Sequence, residues 1–218
     1  KNGYMLTVVG LPKTVDNDVF PIHQTLGAWT AAKQGAIFFE NIVNENTTSS
    51  RQLIIHEIMG RHCGWLAAYT AYEYQNILKG KKFLPELFIS QERWGIDAIY
   101  IPEIDIPFKS EIRRLRLLMD KNDCVNIFLS EGAGFGVIVE AMESAGKKVR
   151  RDAFGHVRLD EINPGNWFSD QFSDKLNADK TLVQKSGYFS RSAAPNKKDI
   201  KLIKDSVKLA VECALEKK

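Results

Sequence analysis

Residues 52–76, QLIIHEIMGRHCGWLAAYTAYEYQN, pass from a short apolar run through a glycine-bounded turn into an amphipathic stretch. The run 52–58 has the length and composition of a strand bounded by turn residues. Residues 62–76 then place Trp65, Leu66, Tyr69 and Tyr72 on one helical face. Strand, turn and helix in that order form the unit from which parallel sheets with packed helices are built.

The alternation recurs along the chain. Further strands are predicted at 5–9 (MLTVV), 97–101 (DAIYI), 124–130 (CVNIFLS) and 181–185 (TLVQK). Helices are predicted over 19–34, with Ile22, Leu26 and Trp29 facing inward, and over 109–120, with Ile112, Leu115 and Leu118 opposite Arg113, Arg114 and Arg116. A last helix is expected over 197–216, carrying Ile200, Ile203, Val207 and Val211, with Asn196 as its N-cap. The pattern predicts an α/β fold on a mostly parallel sheet. Residues 146–170 lack clear periodicity and read as a functional or inserted loop.

Bulk composition narrows the function classes. The chain has 218 residues, enough for one large or two small domains, and a net charge of +3 from 30 basic and 27 acidic residues. That imbalance is too small to suggest a nucleic-acid surface. No apolar run approaches the roughly 20 residues of a membrane helix, so neither a nucleic acid nor a membrane is expected as a partner. The 3 cysteines, Cys63, Cys124 and Cys213, are far apart without metal or CxxC spacing, as free thiols in a cytoplasmic protein would be. The opening KNGYMLTVVG lacks the pattern of a secretory leader and reads as the interior of a longer chain.

Ligands of parallel sheets lie beyond the carboxyl ends of the strands, and four polar stretches fall there. GLPKTVDNDVF, 10–20, offers the Lys13 ammonium, the Thr14 hydroxyl and two carboxylates, Asp16 and Asp18. A carboxylate can take a proton from an attacking hydroxyl or hold Mg²⁺ against phosphate oxygens. The same residues also suit an Asx-turn with Asp18 capping a helix. MGRHCG, 59–64, sets Arg61 between glycines, either as an anion-binding turn or as a surface turn; His62 alone is weak evidence. In SEGAG, 130–134, Glu131 could bind sugar hydroxyls or cap the next helix. QKSGYFSRSAAPN, 184–196, supplies Lys185, Tyr188 and Arg191, suited to a phosphate monoester or to a solvated loop. Four such stretches at strand ends favour a phosphate-handling site.

PKTVDND, MGRHCGW, SEGAG and QKSGYFSRSA, in this order, resemble the phosphofructokinase family, most closely its bacterial pyrophosphate-dependent members. The resemblance covers essentially the whole chain. It implies transfer of a phosphoryl group from pyrophosphate to the 1-hydroxyl of fructose 6-phosphate, a reversible glycolytic reaction with Mg²⁺ as cofactor. Asp16 matches the general base, Thr14 a residue placing the sugar phosphate, and Asp18 an acid near the Mg²⁺ shell. Met59, Gly60 and Arg61 match the substrate loop, with Arg61 near the developing charge. Glu131 matches the glutamate on the fructose hydroxyls, while Tyr188 and Arg191 match the 6-phosphate residues, with Lys185 as a helper. Lys13 matches the lysine of pyrophosphate users, where ATP users usually carry glycine. An ATP-dependent enzyme is the nearer alternative, and a non-catalytic sugar-phosphate-binding subunit the farther one.

The resemblance further implies two Rossmann-like three-layer domains with mostly parallel sheets. Residues 1–35 with 181–218 would form a donor-side domain whose N-terminal part is absent. Residues 36–180 would form the fructose 6-phosphate side, including an insertion at about 147–179 that contains His156. A homodimer or homotetramer is implied, and Arg51 resembles an arginine that reaches a neighbouring subunit's 6-phosphate.

Overall fold

The computed structural model describes residues 7–87, 89–147, 149–150 and 162–216. Among the described residues four strands, β1 (Gln52–Ile58), β2 (Ala98–Tyr100), β3 (Cys124–Ser130) and β4 (Lys180–Lys185), form one sheet in the order β2-β3-β1-β4. Every pairing is parallel. Seven α-helices accompany them among the described residues: α1 (Ala28–Ile42), α2 (Trp65–Lys79), α3 (Phe108–Asn122), α4 (Phe135–Ser144), α5 (Pro164–Leu176), α6 (Gly187–Arg191) and α7 (Lys197–Glu216).

The central strands β1 and β3 are buried at all seven positions, because both sheet faces are covered, as parallel sheets require. Alternation then sorts their side chains. Leu53 and Ile55 of β1, with Val125, Ile127 and Leu129 of β3, meet Leu115 and Met119 of α3, Ile138 of α4, and Phe168, Phe172 and Leu176 of α5. Ile54, Ile58 and Phe128 point the other way, into Ala32, Ala36 and Phe39 of α1 and Leu66, Ala71 and Tyr74 of α2. The result is a three-layer sandwich in which each fully buried aliphatic or aromatic side chain contributes about 1.5–3 kcal/mol. Among the described residues no helix is long and apolar enough to cross a membrane.

The strands expected at 52–58 and 124–130 form over those residues, and those at 97–101 and 181–185 differ by one residue at their ends. Residues 5 and 6 lie outside the described residues, and 7–9, expected as strand, are not in one. The helix expected over 19–34 begins instead at Ala28. Its start is set from a distance: the buried Asp199 carboxylate of α7 accepts the Gly27 N–H (2.9 Å), the Thr30 N–H (2.8 Å) and the Thr30 hydroxyl (2.5 Å). A carboxylate at a helix N-terminus satisfies otherwise unpaired donors and meets the positive end of the dipole. Asn196 caps α7 as expected, accepting the Asp199 N–H at 3.0 Å.

The stretch 146–170 is only in part what its composition suggested. Residues 148, 151–161 and with them His156 lie outside the described residues. From Pro164 onward the chain is helix α5, whose Phe168, Phe172 and Leu176, four residues apart, are fully buried. The periodic segment starts near the end of the window read as aperiodic, so its core face escaped notice. β4, grouped by sequence with the donor-side segment, hydrogen-bonds to β1 from Gln52↔Lys180 to Glu57↔Lys185.

Asp199→Ala removes three hydrogen bonds at the start of α1 and is expected to cost about 2–4 kcal/mol. Denaturant or thermal unfolding of the purified protein measures it, with Asp199→Asn expected to recover only part of the loss.

Candidate active site at the carboxyl ends of the strands

Parallel pairing with matched register brings the carboxyl ends of β1, β3 and β4 to one edge of the sheet. The chain leaves β1 into MGRHCG, β3 into EGAG and β4 into SGYFSR. The segment 10–18 closes the space above them. A cleft of about 400 Å³ opens there, lined by Lys13, Thr14, Val15, Asp16, Asp18, Arg61 and Arg191.

Local hydrogen bonds shape the first wall. Thr14 Oγ1 accepts the Asp16 N–H at 3.1 Å and donates to Asp18 Oδ1 at 3.0 Å. Asn17, at φ 60°, pins the following loop: its Oδ1 accepts the Thr25 N–H (2.8 Å) and hydroxyl (3.0 Å), while its amide donates to the His23 carbonyl. That grip turns the Asp16 side chain inward. Asp16 Oδ2 lies 3.5 Å from Arg61 Nε, whereas Oδ1 is buried with no partner among the described residues. An unpaired buried carboxylate oxygen is costly unless a ligand supplies its donor. Burial, reinforced by the nearby Glu131 and Asp18 carboxylates, raises the Asp16 pKa; Arg61 and Arg191 oppose the shift.

The second wall depends on close backbone contact. Glu131 Oε1 accepts the Gly60 N–H at 3.2 Å and the Arg61 N–H at 2.9 Å, so the carboxylate holds the loop after β1 instead of capping α4. Gly60 sits at φ 148°, and a Cβ there would lie 2.4 Å from the Cys63 carbonyl oxygen. At Gly132 a Cβ would lie 1.8 Å from the Arg61 carbonyl oxygen, which only glycine permits. Glu103 steadies the far end of the loop by accepting the Gly64 N–H at 2.7 Å.

The third wall is α6. Arg191 reaches the cleft, donates to Met59 Sδ at 3.1 Å and lies 5.9 Å from the Tyr188 ring centroid. Tyr188 is exposed and outside the cleft lining. Lys185 is also outside it, with Nζ 2.9 Å from both Glu57 Oε1 and Asn163 Oδ1. The structure therefore gathers Lys13, Thr14, Asp16, Asp18, Arg61 and Arg191 around one space, with Met59, Gly60 and Glu131 directly behind. Arg51 is at the other end of β1, about 23 Å of extended chain away. Its guanidinium bonds Asp120 and the Asn177 and Leu176 carbonyls.

Asn17, Glu57 and His56 were not singled out from sequence. The last two are polar residues that interrupt the apolar run of the strand, which was their available signal. Among the described residues no group of three or more His, Cys, Asp or Glu is placed to hold a metal ion. Two carboxylates at the cleft, Asp16 and Asp18, are nevertheless hard oxygen donors of the kind Mg²⁺ takes together with water and phosphate oxygens.

The parallel sheet with helices on both faces and the cleft at the carboxyl ends of its strands define an α/β protein. The Phosphofructokinase family profile matches residues 1–214, and the chain belongs to that family. It is 57% identical over 217 residues to the pyrophosphate–fructose 6-phosphate 1-phosphotransferase of Methylomonas methanica, covering 100% of this chain and 53% of that protein. It is 55% identical over 214 residues to the protein of the same name from Mastigamoeba balamuthi, covering 98% of this chain and 52% of that one. The fold matches the crystal structure of a pyrophosphate-dependent phosphofructokinase from Marinobacter aquaeolei with a TM-score of 0.65 at 24% identity, over 99% of this chain and 46% of the other. The chain spans about half the length of the curated relatives it matches.

Gly132→Ala is expected to push the Arg61 loop away and to lower stability by about 1–3 kcal/mol. Hydrogen exchange should show faster loss of protection at the Gly60 and Arg61 amides than at those of β1.

Proposed function

We propose that the protein of which this chain is a part transfers a phosphoryl group from pyrophosphate to the 1-hydroxyl of fructose 6-phosphate, reversibly, as a glycolytic enzyme. The observation that carries this reading is Asp16 Oδ1, a buried acceptor without a partner among the described residues, in a cleft with Arg61 and Arg191. The names of the relatives that share over half of its residues support the same substrates.

In this reading Asp16 accepts the proton of the sugar 1-hydroxyl as that oxygen attacks the phosphorus. Phosphoryl transfer asks little covalent work of a protein, so placement and charge carry the rate. Arg61, 3.5 Å from the base, faces the charge that spreads over the transferring oxygens. Its loop is fixed by Glu131, whose remaining oxygen is suited to the fructose hydroxyls. Arg191, with Tyr188 beside it and Lys185 nearby, takes the 6-phosphate, and Thr14 orients the sugar. Lys13 neutralises the departing phosphate, the feature favouring pyrophosphate over ATP. Asp18 would hold Mg²⁺, which when bound offsets the negative charge of the donor phosphates.

Two domains flank the ligands in the proposed whole protein, with 1–35 and 181–218 on the donor side and 36–180 on the sugar side. A soluble cytoplasmic homodimer or homotetramer completes the reading.

Asp16→Asn in the full-length protein is expected to lower kcat by about 10²–10⁴ with little change in KM. Undiminished turnover would overturn the assignment of the base. The base works only when ionised, and its folded pKa is raised, so kcat/KM should fall as pH drops through a value above that of an ordinary aspartate. A pH–rate profile with its acid limb at or below the ordinary aspartate value would contradict this. Lys13→Gly should weaken use of pyrophosphate more than binding of fructose 6-phosphate.

A further inference from the structure

We propose that His56 is a positioning residue: through Ser186 it anchors α6, and thereby Arg191, to the strand that ends in the Arg61 loop. The inference rests on the reading of the cleft as a fructose 6-phosphate site.

His56 lies mid-strand in β1 and is fully buried. Its ring stacks on Phe39 (5.6 Å, 10°), meets the edge of Phe128 (5.0 Å, 82°) and contacts Phe38 (5.6 Å). A phenylalanine would fill that space without burying polar atoms, so packing alone does not account for an imidazole here. The polar difference is Nε2, 2.8 Å from Ser186 Oγ. Burial pushes the His56 pKa down to about 3, so the ring is neutral at working pH. Nδ1 has no partner among the described residues. An unpaired acceptor is better tolerated than an unpaired N–H, so the tautomer that fits is Nε2–H donating to Ser186 with a bare Nδ1.

Ser186 is buried and stands at the start of α6, where its own carbonyl accepts the Ser190 N–H at 2.8 Å. Five residues of helix have no stability of their own, so tertiary contacts must place α6. α6 packs mainly on α1, while its hydrogen bonds to other elements run to β1 and its extension. His56 holds the Ser186 side chain, the Glu57 carbonyl accepts the Ser186 N–H at 3.3 Å, and Met59 receives Arg191 at 3.1 Å. Phe189 also packs on Phe38 at 5.5 Å. The strand thus fixes Arg61 at its own end and fixes Arg191 through α6. Loss of the His56–Ser186 bond frees one end of α6 and lets Arg191 shift relative to Arg61.

The test uses the full-length enzyme carrying His56→Phe, Ser186→Ala, or both. Ser186→Ala deletes the same bond while leaving the aromatic cluster intact, so the test survives if His56→Phe folds poorly. Each single variant should raise KM for fructose 6-phosphate about 10-fold, the upper range for one buried hydrogen bond. KM for pyrophosphate and kcat should stay within about twofold, and the double variant should match the singles, because both remove one interaction. Amide exchange at Ser190 and Ser192 should rise about 10-fold relative to the β1 amides. Unchanged α6 exchange, equal rises in both KM values, or additive effects would overturn the proposal. A wild-type enzyme that does not phosphorylate fructose 6-phosphate overturns the substrate reading alone, and exchange in α6 then still decides whether His56 is the anchor.

Discussion

Strand β1 hydrogen-bonds to β3 along one edge, from Gln52↔Cys124 to Ile58↔Ser130, and to β4 along the other, while both faces are sealed by helices. A strand held on four sides has one register. A slip of one residue would exchange Ile54 and Ile58 with Leu53 and Ile55 and turn His56 into the opposite layer. The register delivers the loops after β1, β3 and β4 to the same edge at the same height, so Arg61, Glu131 and Arg191 can converge although 130 residues separate the first from the last. The cleft inherits its geometry from the least polar part of the molecule.

Around that edge the protein spends its charged groups on its own backbone. Glu131 grips the amides of Gly60 and Arg61, Glu103 that of Gly64, Glu57 that of Gly165 and Asp199 those of Gly27 and Thr30. Each bond joins segments far apart in sequence, and each fixes a turn or a helix start that local propensity would leave loose. Asp16 is the contrasting case. One of its oxygens faces Arg61, the other has no hydrogen-bond partner among the described residues, and its ionised form is disfavoured by burial. A group left unsatisfied amid so many satisfied ones is what a site prepared for a ligand's proton would contain.

The proposed anchor at His56 extends the same logic inward. Most of β1 is chosen for packing, and the two polar residues in its second half, His56 and Glu57, both hold the starts of helices, α6 beside the cleft and α5 outside its lining. Glu57 meets the start of α5 and the Lys185 ammonium, while His56 meets the start of α6.

By itself the sequence determined the layers and the chemistry of the cleft. Apolar runs of seven residues bounded by turns identify β1 and β3, helical spacing identifies α2, α3 and α7, and PKTVDND, MGRHCG, SEGAG and QKSGYFSRSA hold the polar groups gathered at or behind the cleft. These signals are local, because a buried strand or amphipathic helix advertises itself within one window. Only the tertiary structure decided where α1 begins, that 164–176 is core, that Glu131 binds backbone amides rather than capping α4, and that Lys185 is occupied by Glu57 and Asn163. Each of those depends on a partner tens of residues away, and no window of sequence records which carboxylate will find which N–H once the chain has closed.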